Sequence, residues 1–376
     1  MGKRDSDHRH GENPKTEIRG PKAEMRRICY GKLHRFCASL EILPEMPAIQ
    51  LGGWFFGFRI SSFSRISDFE LRIFPLIGNN LVKNRCRFSR TGLISAVAVR
   101  LTILGSGSSG NCAYVETDEA RILVDAGFSA RQIRERLATI GRVPENLTGI
   151  LITHEHSDHI CGLLALAEKL KLPVYCNRAT QEATLWAFKT KWSSKKNPTL
   201  TGLDGNDAKT RLDWRLFRTG DSFELNDVVV ETFSIPHDAQ DPVGFLLRAN
   251  GMKIGFATDL GHVTKLVIDR IRNANALVLE ANHDVKMLQE CVRRPWSLKQ
   301  RILGRHGHLS NEAAADCVAE IMSAELRHLY LGHLSRECNR PALAHRVVNE
   351  RLQKIGAAHV ALALTSQDVP CPTLSL

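Results

Sequence analysis

The sequence predicts an α/β protein in which two β-sheets pack face to face and helices cover both outer surfaces. Two observations lead there. Short apolar runs bounded by Gly, Ser and Asn fall into two groups, one within residues 101–153 and one within 228–280. Segments with helical spacing lie between and after these groups.

The first group contains strands at 101–104, 112–116, 122–125 and 149–153, with a Gly/Ser turn at 105–111 after the first of them. Ile133, Leu137 and Ile140 mark one helix by their spacing, and a second starts near Ile160 and continues through Leu163, Leu164, Leu166 and Ala167. The Lys-rich stretch 189–214 reads as an inserted loop. The second group places strands at 228–235, 243–248, 253–258 and 276–280. Ser310 is a suitable N-cap with Glu312 in the first turn, so a helix is expected over 311–322, then a strand at 328–331 and a helix at 341–353.

Composition bounds the function classes. The chain has 376 residues, 43% hydrophobic and 24% charged, the balance of a soluble globular protein. Its net charge of +11 suggests a nucleic-acid binder until it is divided: residues 1–99 hold 17 Lys+Arg against 9 Asp+Glu, and the remainder 34 against 31. The basic excess thus belongs mainly to the first quarter. No apolar run approaches the roughly 20 residues of a membrane span, and the longest, 49–58, is closed by Arg59. The N-terminus lacks the apolar core and cleavage site of a secretory leader. Ten cysteines without CxxC pairs argue for reduced thiols, so a cytoplasmic protein without a membrane partner is expected. Cys112, Cys161 and Cys176, in apolar runs, read as small buried hydrophobes. Residues 1–98 are irregular, polar to Arg27 and then apolar around Trp54 and Phe74 without a period. They are expected to form a disordered or irregular N-terminal extension to a domain spanning 99–376.

The chemistry is concentrated in Thr153-His154-Glu155-His156-Ser157-Asp158-His159. On an extended segment residues two apart share a side, so His154 and His156 can grip one ion, while Asp158 and His159 swing towards a second where the chain turns into a helix. Imidazole and carboxylate together suit Zn or Mn, with Fe and Co possible. Three further residues close strands and face the same edge: His237, Asp259 and His333. They complete a two-ion site, with His154, His156 and His237 on one metal, Asp158, His159 and His333 on the other, and Asp259 bridging. Two divalent cations roughly 3.5–4 Å apart lower the pKa of a water from about 15.7 towards 7 and stabilise the entering and leaving oxygens of a phosphoryl displacement. Asp125, ending its strand, is placed to orient a ligand histidine through the second ring nitrogen.

The series Asp125, His154, His156, Asp158, His159, His237, Asp259, His333 resembles the metallo-β-lactamase superfamily over residues 100 to about 365. The resemblance implies an αββα sandwich with a dinuclear site at the sheet edge. Within the superfamily, the strings LGSGSSGNCAYVET, PHDAQDPVGF, ATDLGH, LEANHD, WSLKQRILG and GHLSNEAA are similar to the YycJ/WalJ-like branch. That implies a cytoplasmic, metal-dependent hydrolase of phosphodiester bonds, a DNA exonuclease, with an RNA or small-molecule phosphodiesterase as the alternative. Pro236-His237-Asp238 in place of a Gly-His-Thr-Pro-Gly string disfavours thioesterase or lactonase chemistry. The same resemblance places the family start near Val97 or Val99, so the extension fits translated upstream sequence, its rival being a basic DNA-tethering arm.

Similarity to the tRNA-processing ribonucleases of the superfamily gives His308 a catalytic proton-transfer role, with Glu280 and His283 beside it. His262 and His306 read as ordinary loop residues. For nucleic-acid contact the run 293–301 supplies Arg294, Trp296 and Lys299, and the inserted loop supplies Lys189, Lys191, Lys195 and Lys196 around Trp192. Ser108 and Asn111 in the Gly/Ser turn are substrate-contact candidates.

Overall fold

The computed structural model describes residues 98–191 and 211–376, together with five strand segments between residues 49 and 89. Chain contacts divide the molecule into units 1–94 and 95–376. In the first unit, strands β1 (Ile49–Leu51), β2 (Trp54–Phe58), β3 (Asp68–Ile77), β4 (Asn80–Leu81) and β5 (Asn84–Ser89) form an antiparallel sheet. Much of the extension expected to be irregular, 1–98, lies outside the described residues.

The second unit carries the αββα architecture expected from the sequence. One sheet contains β6 (Arg100–Gly105), β7 (Cys112–Glu116), β8 (Arg121–Val124), β9 (Gly149–Leu151), β10 (Pro173–Asn177) and β11 (Asp213–Phe217), with β19 (Leu374–Ser375) added beyond β6. The other runs in chain order from β12 (Ser222–Leu225) through β13 (Val228–Ser234), β14 (Val243–Ala249), β15 (Met252–Ala257), β16 (Ala276–Glu280) and β17 (His328–Gly332) to β18 (Ala361–Leu364). Strands β8 to β11 pair in parallel, as do β15 to β18.

The period-2 alternation of the strands divides their apolar side chains between three cores. Leu101, Ile103, Val115, Ile122, Val230, Phe245, Phe256 and Val278 fill the space between the sheets. Leu123, Ile150 and Val174 face the opposite way, onto Ile133, Leu137 and Leu163 of the first helical layer. Leu277, Leu279, Leu329 and Leu331 meet Val267, Val318 and Val348 of the second. Each sheet is therefore buried on both faces, which is why its strands read as nearly continuous apolar runs.

Local signals fix the helix starts. Ala130–Thr139 opens with a capping box between Ser129 and Gln132, and Asn311–Ile321 with Ser310 accepting from the Ala313 amide. The helix expected near Ile160 begins at Ser157 and breaks at Gly162, where a Cβ would lie 2.2 Å from the Phe128 carbonyl oxygen. The Lys-rich loop is shorter than expected: its first residues end the helix Arg178–Lys191 and its last begin β11, while 192–210 lie outside the described residues. That helix buries Thr180, Gln181 and Thr184 beside Phe188, so no apolar stripe announces it. Cys112 and Cys176 are buried as expected, but Cys161 is exposed, on the solvent side of the break at Gly162.

Candidate metal centre

The site is built where parallel strands of both sheets end. Asp125 follows β8, the segment from Thr153 to His159 follows β9, Asp259 follows β15, Glu280 closes β16 and His333 follows β17. Carboxyl ends of parallel strands are the usual place for a site, because the chain leaves the sheet there with side chains free to converge. Asp125, Asp259 and His333 have φ of 63°, 58° and 56°, a left-handed conformation rare outside glycine and a form of strain that gathers at functional sites. Gly127 permits the loop after β8 to pass beneath Asp158, whose carbonyl oxygen would lie 1.6 Å from a Cβ there.

The structure brings all seven expected ligands together. One atom each from His154, His156 and His237 lies within 4.8 Å of the others, and the same holds for Asp158, His159, Asp259 and His333. Asp259 reaches both groups, with Oδ2 3.2 Å from His159 Nε2 and Oδ1 3.9 Å from His237 Nε2. A third group joins Asp259 and His333 to Glu280 and His308.

Hydrogen bonds to one ring nitrogen decide which other nitrogen faces inward. His159 Nδ1 pairs with Asp125 Oδ2 at 2.8 Å, His237 Nδ1 donates to the Gly307 carbonyl at 3.0 Å, and His333 Nδ1 pairs with Glu280 Oε1 at 2.8 Å. Each Nε2 is left as a lone-pair donor turned into the site. Thr153, unremarked in the sequence, ties Asp125 to the rings of His154 and His159 through its hydroxyl.

These residues fit a pair of divalent cations. His154 Nε2, His333 Nε2 and Asp259 Oδ2 are buried without a hydrogen-bond partner, although buried polar atoms are almost always paired. His159 Nε2 lies 3.2 Å from Asp259 Oδ2, a contact that calls for positive charge, on the ring or from a cation shared by the two. Burial opposes charge on the His159 ring, yet Asp125, Asp259 and Asp158 raise its pKa well above the ordinary imidazole value. Burial likewise opposes charge on Asp259, but His333 and His159 hold its carboxyl well below the ordinary range. His154, with burial and the neighbouring His159 both against its charge, is pushed down and stays neutral.

Glu280 lies behind the histidines rather than among reacting groups. It is fully buried, its Oε1 meets His308 Nδ1 at 2.7 Å and His333 Nδ1 at 2.8 Å, and its Oε2 accepts from the Leu260 and Leu309 amides. Burial works against its charge, but His308 and His333 bring its pKa to about 2. The expected direct proton-transfer role for Glu280 gives way to a positioning one. His308 keeps its ring partly exposed at the site mouth; burial opposes its charge, and the Glu280 carboxylate raises its pKa. His283 is buried with neither ring nitrogen partnered, and burial drives its pKa down to about 4.

The substrate-contact expectations divide. Ser108 and Trp296 are exposed, and Arg294 is ion-paired to Glu337 at 3.1 Å. Lys299 differs from expectation: it is buried with its ammonium on the Gln289 carbonyl at 2.7 Å, because its helix turns that face inward. Asn111 also turns inward, its amide nitrogen 3.2 Å from Asp158 Oδ2 and 3.1 Å from His159 Nε2. It acts with Ser106, whose hydroxyl donates to the Asn111 side chain and accepts from the His333 amide. The Gly/Ser turn thus braces metal ligands. Lys189 is exposed at the end of its helix, the Lys191 side chain and Trp192, Lys195 and Lys196 lie outside the described residues, and His262 holds the Arg305 carbonyl as a loop residue does. Asp238, which the sequence did not single out, stands 3.3 Å from His237 Nε2 and is ion-paired to Arg301.

Among the described residues no helix is long and apolar enough to cross a membrane. The sequence model of the family described as "Beta-lactamase superfamily domain" matches residues 120–334. The chain is 39% identical over 260 residues to a protein of Bacillus anthracis named exodeoxyribonuclease YycJ, covering 69% of this chain and 91% of that one. It is 37% identical over 259 residues to exodeoxyribonuclease WalJ of Streptococcus pneumoniae, covering 69% and 90%. The crystal structure of the metallo-β-lactamase fold protein YhfI from Bacillus subtilis superposes with a TM-score of 0.50 at 14% identity, over 73% of this chain and 99% of that one. That last likeness concerns the fold alone. With the fold, the matched domain and the convergent His/Asp clusters in agreement, the chain belongs to the metallo-β-lactamase superfamily.

Proposed function

We propose that the chain is a dinuclear-metal-dependent, cytoplasmic phosphodiesterase that acts on DNA as an exonuclease. The observation that carries this reading is the pairing of two ligand clusters through Asp259 with a partly exposed His308 at their rim, in a chain 39% identical to a named exodeoxyribonuclease. In this reading His154, His156 and His237 hold one ion, Asp158, His159 and His333 the other, and Asp259 both. Zn or Mn suits such donors. When bound, the two ions supply Lewis acidity, a water acidic enough to ionise near neutral pH and charge neutralisation of the phosphoryl group.

The protein's own groups do the rest. Asp125, Glu280 and the Gly307 carbonyl fix the ligand rings in the tautomer that binds cations. His308, charged by its contact with Glu280, holds a proton on Nε2, the ring nitrogen not paired with Glu280, and can deliver it to a leaving oxygen. The exposed Trp296 and Ser108 are available for contact with the rest of a polynucleotide.

Metal analysis of the purified chain, coupled to hydrolysis of duplex DNA, RNA and a generic phosphodiester, tests the proposal. Two ions per chain with preferred, progressive degradation of duplex DNA are expected. Equal turnover of the generic diester without activity on DNA would assign the centre to small-molecule phosphodiesters instead.

A further inference from the structure

Within the basic run 293–301 the cations differ in what they touch. Arg293 and Arg294 are both ion-paired to Glu337, at 3.4 and 3.1 Å, and Lys299 has its ammonium on the Gln289 carbonyl. Arg301, on the helix Trp296–Leu303, turns to the metal centre instead. Its Nε donates to Asp238 Oδ2, and the other oxygen of that carboxylate lies 3.3 Å from His237 Nε2 and 4.0 Å from His156 Nε2, two rings of the first ligand cluster. Among the described residues, this is the arginine ion pair whose acid touches the expected metal ligands.

Both partners are held from behind. The chain leaving the helix folds back on its last turn: the His308 amide donates to the Ile302 carbonyl at 3.0 Å, and a Cβ on Gly307 would lie 2.1 Å from that oxygen. The Gly307 carbonyl in turn accepts from His237 Nδ1 at 3.0 Å. One short segment thus fixes the helix bearing Arg301 to the ligand His237 and to His308, whose ring centroid stands 5.1 Å from that of His237. The loop bearing Asp238 is pinned as well, because the Gln240 amide donates to Glu155 Oε1 at 2.9 Å and the Asp241 carbonyl accepts from Asn177 Nδ2 at 2.7 Å.

An ordinary surface ion pair contributes little and needs no such scaffold. A lone carboxylate beside the ligand rings would repel an anionic substrate, and Arg301 cancels that charge. The Arg301 side chain is nevertheless 61% exposed. It meets Asp238 through Nε, and neither terminal amino group has a hydrogen bond among the described residues. The guanidinium therefore keeps two NH2 groups for an oxyanion, a planar fork that suits a phosphate.

We propose that Arg301 binds a backbone phosphate of the strand being degraded, an inference that rests on the reading of the chain as a nuclease. Because the Asp238 carboxylate stands between the guanidinium and the ligand rings, the phosphate taken is a neighbour of the reacting one. Such a contact sets the register of the strand and carries no base information.

The test measures kcat and KM of the full, metal-loaded chain on duplex DNA from about 50 to 200 mM KCl, beside Arg301→Ala and Arg301→Lys, with the metal content of each. Arg301→Ala should keep both ions, raise KM roughly ten-fold at the lowest salt, and lower the slope of log(kcat/KM) against log salt by about one, the share of one phosphate contact. The rise should be alike for duplexes of different sequence. Arg301→Lys should regain the slope but only part of the KM, since lysine keeps the charge without the fork. Loss of metal or of kcat in Arg301→Ala, with KM and slope unchanged, would make the arginine a brace for the ligand loop and overturn the inference. An unsubstituted chain that turns over only a generic diester overturns the nuclease reading and this inference with it. A DNA-degrading chain whose KM and slope survive Arg301→Ala overturns this inference alone.

Discussion

Replacing Glu280 by Gln removes one charge from the interior without changing its shape, and the hydrogen bonds around that side chain decide the outcome. The carboxylate accepts four of them: His308 and His333 on Oε1, the Leu260 and Leu309 amides on Oε2. An amide cannot accept on both sides. With its NH2 towards the backbone, it confronts two N–H donors and leaves them unpaired in a fully buried place, a loss of about 1–3 kcal/mol for each group. With its NH2 towards the rings, it forces His308 and His333 to accept on Nδ1 and so to carry their protons on Nε2. A protonated Nε2 on His333 cannot bind a cation. The first orientation costs stability, and the second weakens the second ligand cluster. Loss of a partner that orients a ligand histidine lowers metal affinity or activity by roughly 10- to 100-fold.

The experiment titrates metal into the apo form of Glu280→Gln and of the unsubstituted chain, follows hydrolysis of a generic phosphodiester, and measures the thermal midpoint of both. Expected are a weakened second binding event, a rate at least ten-fold lower at subsaturating metal, and a clear drop in the midpoint. Unchanged metal affinity and rate in a variant of unchanged stability would refute the positioning role of Glu280 and the tautomer argument with it.

Asp259→Ala should remove the group that reaches both clusters and abolish turnover while circular dichroism shows the fold intact; near-normal activity would end the two-ion reading. His308→Ala should retain both metals in elemental analysis but lose roughly 10² to 10⁴ in rate, the usual size of a general acid–base contribution. A fall in metal content instead would make His308 a ligand or a structural residue. We further propose that residues 99–376 suffice for activity: a chain lacking 1–98 should fold, bind metal and hydrolyse substrate like the full chain, and a large loss of duplex-DNA affinity would show the first segment to be a working arm.

The centre was legible in the sequence because its ligands are chemically conspicuous and its strands announce their ends. Three histidines and an aspartate within six residues point to a metal, and His237, Asp259 and His333 each follow an apolar run. Strands β10–β12, β18 and β19 went unpredicted, but the boundaries of β6–β9 and β13–β17 were predictable to within a residue or two because burial on both faces makes strands such as β8, β16 and β17 continuous apolar stretches. Helix Arg178–Lys191 was not, since Thr180, Gln181 and Thr184 make its buried face polar.

Sequence alone therefore determined the sandwich and the ligand types, which derive from local pattern and residue chemistry, and the superfamily, which its motifs resemble. It could not determine which cations point outward or which polar groups brace others, because those depend on what a side chain meets from distant parts of the chain. Lys299 looked like a phosphate contact until its helix face proved buried, and Asn111 looked like a substrate contact until its amide was found on Asp158 and His159. Glu280 became a brace for two histidines 28 and 53 residues away, and Ser106 reached the His333 amide across 227 residues. Such pairings have no signature along the chain, because a hydrogen bond is a relation of distance and angle that only the packed sheets bring about.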